Sequence, residues 1–145
     1  MAAGAGECSI VINITVYGHP VPKARARVVR TKNGKTVSYT PGKTADWENS
    51  IRAQALACRQ EKLLNGPLDG PLVVAMTFYL LRPKSRPKRE KWPDRRPDLD
   101  NLVKSVKDAL NGIIWTDDAR IVDMRARKRY DSQPRVEIVV RKVVE

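Results

Sequence analysis

The chain has 145 residues, with 28 Lys and Arg against 16 Asp and Glu for a net charge of +12, and 41% of its residues are hydrophobic. That length suits one two-layer domain, and the apolar content excludes a disordered basic tail. The charge predicts a polyanionic partner, with a solvated positive surface as the plain alternative. Cys8 and Cys58 are widely spaced and lack any paired Cys or His spacing, so neither a disulfide framework nor a zinc site is indicated. The segment Met1 to Glu7 has no basic region, and no apolar run approaches the roughly 20 residues of a spanning helix. A cytosolic protein with no membrane partner is expected.

In chain order, Ser9 to Tyr17 alternates Ile10, Ile12, Ile14 and Val16 on one face, the period of a half-buried strand, and Gly18-His19-Pro20 ends it. His19 is the only histidine and reads as a loop residue. Lys23, Arg25 and Arg27 then alternate. In an extended chain they would face one way and could track phosphates, or they form a solvated strand face. Asn33-Gly34 is a hairpin signal pairing Val28 to Thr31 with Thr36 to Tyr39, with Lys32 and Lys35 at the tip. From Lys43 or Thr44 the pattern is helical, with Trp47, Ile51, Ala55 and Cys58 as the apolar face and Leu63 at the close. Two prolines and two glycines make 65–71 a loop, and Leu72 to Leu81 reads as a central strand.

Residues 82–96 carry eight cations against Glu90 and Asp94, with three prolines. This predicts an extended basic loop whose Lys84, Arg86, Lys88, Arg89, Arg95 and Arg96 could meet DNA, a solvated linker being the alternative. Trp92 within it either stacks on an unpaired base or pins the loop to the body.

The loop leads into acids. Asp98 and Asp100 follow a proline two apart, so an extended segment would point both to one side. Leu102, Val106, Ala109, Leu110 and Ile113 then mark one helix face, making Asp100 or Asn101 the expected N-cap and Asn111-Gly112 the stop. A cap explains one acid. It leaves Asp98 and the later pair Asp117-Asp118 unexplained, although turns also favour Asp. Clustered carboxylates repel unless a cation sits between them, and oxygen donors without His or Cys suit magnesium or manganese. Lys104, four residues beyond Asp100, should rise on the same side and could neutralise charge on a phosphate. After Asp118, Arg120 to Tyr130 alternates Val122, Met124 and Ala126 with charged residues, and Arg135 to Val144 turns Val136, Ile138 and Val140 inward. These two strands are expected to form an antiparallel hairpin, with Lys128 and Arg129 extending the basic surface.

Pro97-Asp98-Leu99-Asp100-Asn101-Leu102 with Lys104, then Asp108-Ala109-Leu110-Asn111-Gly112, then Trp115-Thr116-Asp117-Asp118-Ala119-Arg120-Ile121-Val122, resembles the signature of the RusA-type Holliday junction resolvases. These are crossover junction endodeoxyribonucleases often carried by phages and prophages. The resemblance covers most of the chain. It implies a homodimeric, magnesium-dependent endonuclease of DNA recombination and repair that nicks symmetrically across a four-way junction. On that template Asp98, Asp100 and Asp118 are the metal-binding catalytic carboxylates and Lys104 the essential lysine.

The expected architecture is a single α+β domain over 1–145, a mixed or antiparallel β-sheet with two main helices packed on it and the basic loop 82–97 within it. The expected function is a metal-dependent, structure-selective nuclease in the cytoplasm, associated with the nucleoid. Two alternatives stand beside it, namely a non-catalytic nucleic-acid-binding protein and a nuclease for other branched or single-stranded DNA. Magnesium is the one cofactor expected, with manganese as the alternative ion.

Overall fold

Alternation of apolar residues sets the first strand. In the computed structural model, which describes residues 10–24, 27–39 and 42–144, β1 (Val11–Tyr17) buries Ile12, Ile14 and Val16. β2 (Arg27–Arg30) and β3 (Thr36–Tyr39) form a separate antiparallel ribbon. Its turn is tight because Gly34 takes a φ of 79°, which glycine adopts without strain. Arg25, in the alternating cationic run, lies outside the described residues.

α1 (Gly42–Glu61) presents the expected face, with Trp47, Ile51 and Ala55 buried and Cys58 half-buried. Leu63 follows it at a left-handed φ of 57° and is exposed, so the chain reverses there and Leu64 packs on the core instead. β4 (Leu72–Leu80) buries every second side chain from Leu72 to Phe78. α2 (Leu99–Leu110) buries Leu102, Val106, Ala109 and Leu110. β5 (Ile121–Tyr130) and β6 (Arg135–Lys142) follow.

These strands make a mixed sheet in the order β1-β6-β4-β5. The hairpin expected of β5 and β6 does not form. β5 runs parallel to β4, and β6 lies antiparallel between β4 and β1. The parallel pair is possible because the basic loop and α2 supply the long crossover it requires. The short link after β5 passes the end of β4, where Asp131 N–H bonds the Leu80 carbonyl and Gly18 N–H bonds the Pro134 carbonyl. Two strand spacings are about 10 Å, within reach of four residues. β6 is thereby central, consistent with burial of Val136, Ile138 and Val140.

Val122 is a second departure, for it is exposed rather than inward. Between Leu72 and Val73 the partner on β5 jumps from Ile121 to Asp123, so Val122 is the extra residue of a bulge. Met124 and Ala126 keep the inward face, packed against the core.

Both helices sit on one face of the sheet. α1 packs on β1 and on α2, and α2 lies against β5. Among the described residues no helix covers the opposite face. Its residues are half-buried or exposed, and register places Tyr17, Arg135, Tyr79 and Arg129 in one row across all four strands. Among the described residues no helix is long and apolar enough to cross a membrane.

Candidate active site

The head of α2 carries the first two acids. The helix starts at Leu99, so Asp98 rather than Asp100 or Asn101 is the N-cap residue, with extended φ and ψ of −70° and 138°. Its backbone carbonyl takes Leu102 N–H at 3.2 Å, but its side chain makes no capping hydrogen bond. The carboxylate is exposed at the positive end of the helix dipole with no structural duty. Asp100 stands in the first turn, where one oxygen accepts Asn101 N–H at 3.0 Å.

Because the helix begins between them, the two acids do not share a side as an extended chain would place them. Asp98 lines a groove with Pro22, Lys23, Arg96 and Pro97. Asp100 lines the neighbouring groove with Lys104 and Lys107, floored by Met124 and Ala126 of β5. Asn101 is the wall between them.

The second acidic pair divides its work. Asp117 caps the single 3-10 turn Asp118–Arg120, accepting Ala119 N–H at 3.3 Å. Asp118 points instead to Lys107, with 3.6 Å between charged atoms. Fully buried Trp115 fixes the turn before them, donating from its indole nitrogen to the Asn111 side-chain oxygen at 2.7 Å. Lys107 is seven residues beyond Asp100, about 10 Å along the helix axis. Asp118 therefore stands by the last turn of α2, and Asp98 and Asp100 by the first.

Among the described residues no three carboxylate, His or Cys groups converge into a metal cluster. In kind, the donor set fits a hard divalent ion, being carboxylate oxygen throughout. Asp98 and Asp100 form no ion pair among the described residues, which leaves both available. Asp118 is the donor that stands apart, held by Lys107.

The cations fall into two groups. Lys104 is 61% exposed and only 3.8 Å from Asp108, a loose pairing that leaves its ammonium free to move. Lys23 is internal, at 2.8 Å from buried Glu48 and 3.2 Å from Asp108. Burial works against its charge, but the hydrogen bonds to Glu48 and Asp108 outweigh it and hold its pKa above the ordinary lysine value. In the basic loop Arg86 forks onto Glu90. Lys84, Lys88, Arg89, Arg95 and Arg96 have no ion-pair partner among the described residues, so they remain available for phosphate. Arg27 falls in β2. Trp92 brings the loop to the sheet, its ring 5.0 Å from the guanidinium of Arg129 while most of it stays exposed.

Lys107, which the sequence reading passes over, and Lys128, which it expects on the basic surface, both shape the site. Lys107 holds Asp118, and its spacing of three from Lys104 was the available signal. Lys128 faces inward on β5, bonding backbone carbonyls of the loop just before Asp98. A cation two places beyond Ala126, in step with Met124 and Ala126 on an apolar strand face, was the signal there.

The chain matches the family Endodeoxyribonuclease RusA over residues 17–141. It is 36% identical over 138 residues to the uncharacterized protein YqaN of Bacillus subtilis (strain 168), covering 91% of this chain and 96% of that one. It is 30% identical over 117 residues to the Crossover junction endodeoxyribonuclease rusA of Lactococcus phage r1t, covering 79% and 85% respectively. The uncapped Asp98 and its neighbours thus sit inside a family match that spans both helices and three of the four strands of the sheet, and the chain belongs to the RusA endodeoxyribonuclease family.

Proposed function

We propose that this protein resolves four-way DNA junctions by metal-dependent hydrolysis of phosphodiester bonds, in recombination and repair of cellular or phage DNA. The observation that carries the reading is Asp98, a carboxylate in the N-cap position that caps nothing, set beside Asp100 in a chain of net charge +12. An exposed acid with no structural role in a basic protein is a ligand for a cation, since it would otherwise only repel the phosphate that the surrounding charge attracts.

Asp98, Asp100 and Asp118 would hold magnesium, or manganese in its place. The ion supplies Lewis-acid stabilisation of phosphate charge and lowers the pKa of water. The chain's own residues do the rest. Lys84, Lys88, Arg89, Arg95 and Arg96 bind the backbone and bring it toward the head of α2. Lys104, on the groove wall with Asp100, neutralises charge on the cleaved phosphate. Asp118 joins the other acids by leaving Lys107. Two symmetric nicks require two such sites related by a two-fold axis, so the working form is a homodimer. Such a protein acts in the cytoplasm, on the nucleoid.

The test is nicking of a synthetic mobile four-way junction, with linear duplex and single strand as controls, in magnesium and in EDTA. Wild type should make symmetric magnesium-dependent nicks, and Asp100→Asn should bind the junction without cutting it. Tight binding with no cleavage of any substrate in magnesium or manganese would leave a binding protein only.

A further inference from the structure

The sheet face opposite α1 and α2 is the largest feature that the proposed nuclease chemistry does not use. Its residues alternate with those of the core, and none is fully buried. Five arginines on β5 and β6 lie there against Asp123, Glu137 and, at the adjoining turn, Asp131. Such a surface repels a second copy of itself and attracts a polyanion.

The face also presents flat groups at one end. Tyr17 is 66% exposed and Trp92 is 58% exposed, so both rings are open to solvent. Between them, Arg135 lies over the Tyr79 ring at 3.8 Å. Its guanidinium is fixed by Glu137 at 2.9 Å, by the Gln133 carbonyl at 2.8 Å and by Asp131. These contacts use Nε and Nη1 and hold the plane in place, with one face on Tyr79 and Nη2 left to meet a partner. Arg127 and Arg125, one and two rungs down β5 from Arg129, are exposed and form no ion pair among the described residues.

We propose that this open face is a second nucleic-acid site, which takes single-stranded DNA with bases stacked on Tyr17, Arg135 and Trp92 and the backbone along Arg125 and Arg127. The flatness selects the strand state. A duplex hides its base planes and needs an element that can fill a groove, whereas unpaired bases stack on aromatic rings and guanidinium planes set on a four-stranded sheet. The site lies on the far side of the sheet from Asp98 and Asp100. It does not depend on the nuclease reading.

The test titrates full-length protein in EDTA with fluorescein-labelled oligothymidylate, reading anisotropy and tryptophan emission. Trp47 and Trp115 are buried, so quenching reports Trp92. Wild type should bind with quenching. Tyr17→Ala and Arg127→Glu should each weaken oligothymidylate binding about five- to a hundredfold while leaving duplex affinity and thermal melting unchanged. Both residues are exposed, so neither change threatens folding. Oligothymidylate affinity unchanged in both variants, absence of quenching, or equal loss of duplex binding would overturn the proposal. A shift in oligomeric state of Tyr17→Ala on gel filtration would also overturn it, by showing that the face meets another copy.

Discussion

The ammonium of Lys128 donates to the carbonyls of Arg95 and Pro97 at 2.7 and 2.9 Å, tying the inward face of β5 to the chain just before Asp98. It is therefore a positioning residue rather than a phosphate contact. Lys128→Met should slow single-turnover nicking on the order of tenfold or more, because small misplacement of a reacting group is costly. Junction affinity in gel shift should stay within about twofold, and Lys128→Arg should restore part of the rate. Equal loss of affinity and rate would mean that Lys128 contacts DNA directly.

Asp98 permits a separation of stability from function. Its side chain caps no backbone amide, so Asp98→Asn should change unfolding free energy by no more than about 1 kcal/mol, the scale of its interaction with the helix dipole. Nicking should nevertheless be abolished. Urea melts and junction assays on one preparation check both halves.

Lys107 competes for Asp118. At 3.6 Å, with both side chains about one-third exposed, the pair is worth roughly 0.2–1 kcal/mol. Lys107→Gln should tighten manganese binding about two- to fivefold, measured by loss of the free-ion signal in electron paramagnetic resonance. Weaker binding in that variant would show that Lys107 orders Asp118 for the ion instead.

Lys23 holds the two helices to the segment between them. Its ammonium joins Glu48 of α1 to Asp108 of α2, and its backbone N–H bonds the Asn101 carbonyl at 2.9 Å. Glu48 is 5% exposed, so Lys23→Met strands a buried charge with only Arg52 near it at 3.4 Å, and should cost about 2–4 kcal/mol in denaturant melts. The pH dependence has a definite sign. A lysine whose folded pKa is raised stabilises fully below its unfolded value, near 10.4, and loses that contribution as pH climbs through the folded value. The gap between wild type and variant should hold from neutral pH to about 10 and shrink above it.

Most of this was legible in the sequence where local rules govern. The period of Ile12, Ile14 and Val16, the Asn33-Gly34 turn and the apolar stripe of α2 each follow from one segment's chemistry. Strand partners do not. The alternation of Val136, Ile138 and Val140 shows which side is buried and says nothing of which strands flank it, so the link after Tyr130 read as a hairpin although it passes beyond β4. The acids show the same division. Their presence was plain, but a two-residue shift in the helix start moved Asp98 and Asp100 onto different grooves. Lys23 looked like a phosphate contact because its partner Glu48 is 25 positions away in the chain.

The place of β6 bears on synthesis. Of the elements described, it is the last made, yet β1 and β4 reach each other only through it. A chain still on the ribosome already exposes every acid from Asp98 to Asp118, but it has no completed sheet against which to set them. On the reading proposed above, the acids of α2 and of the turn before β5 therefore gain a continuous four-stranded sheet behind them only once β6 is inserted between β1 and β4.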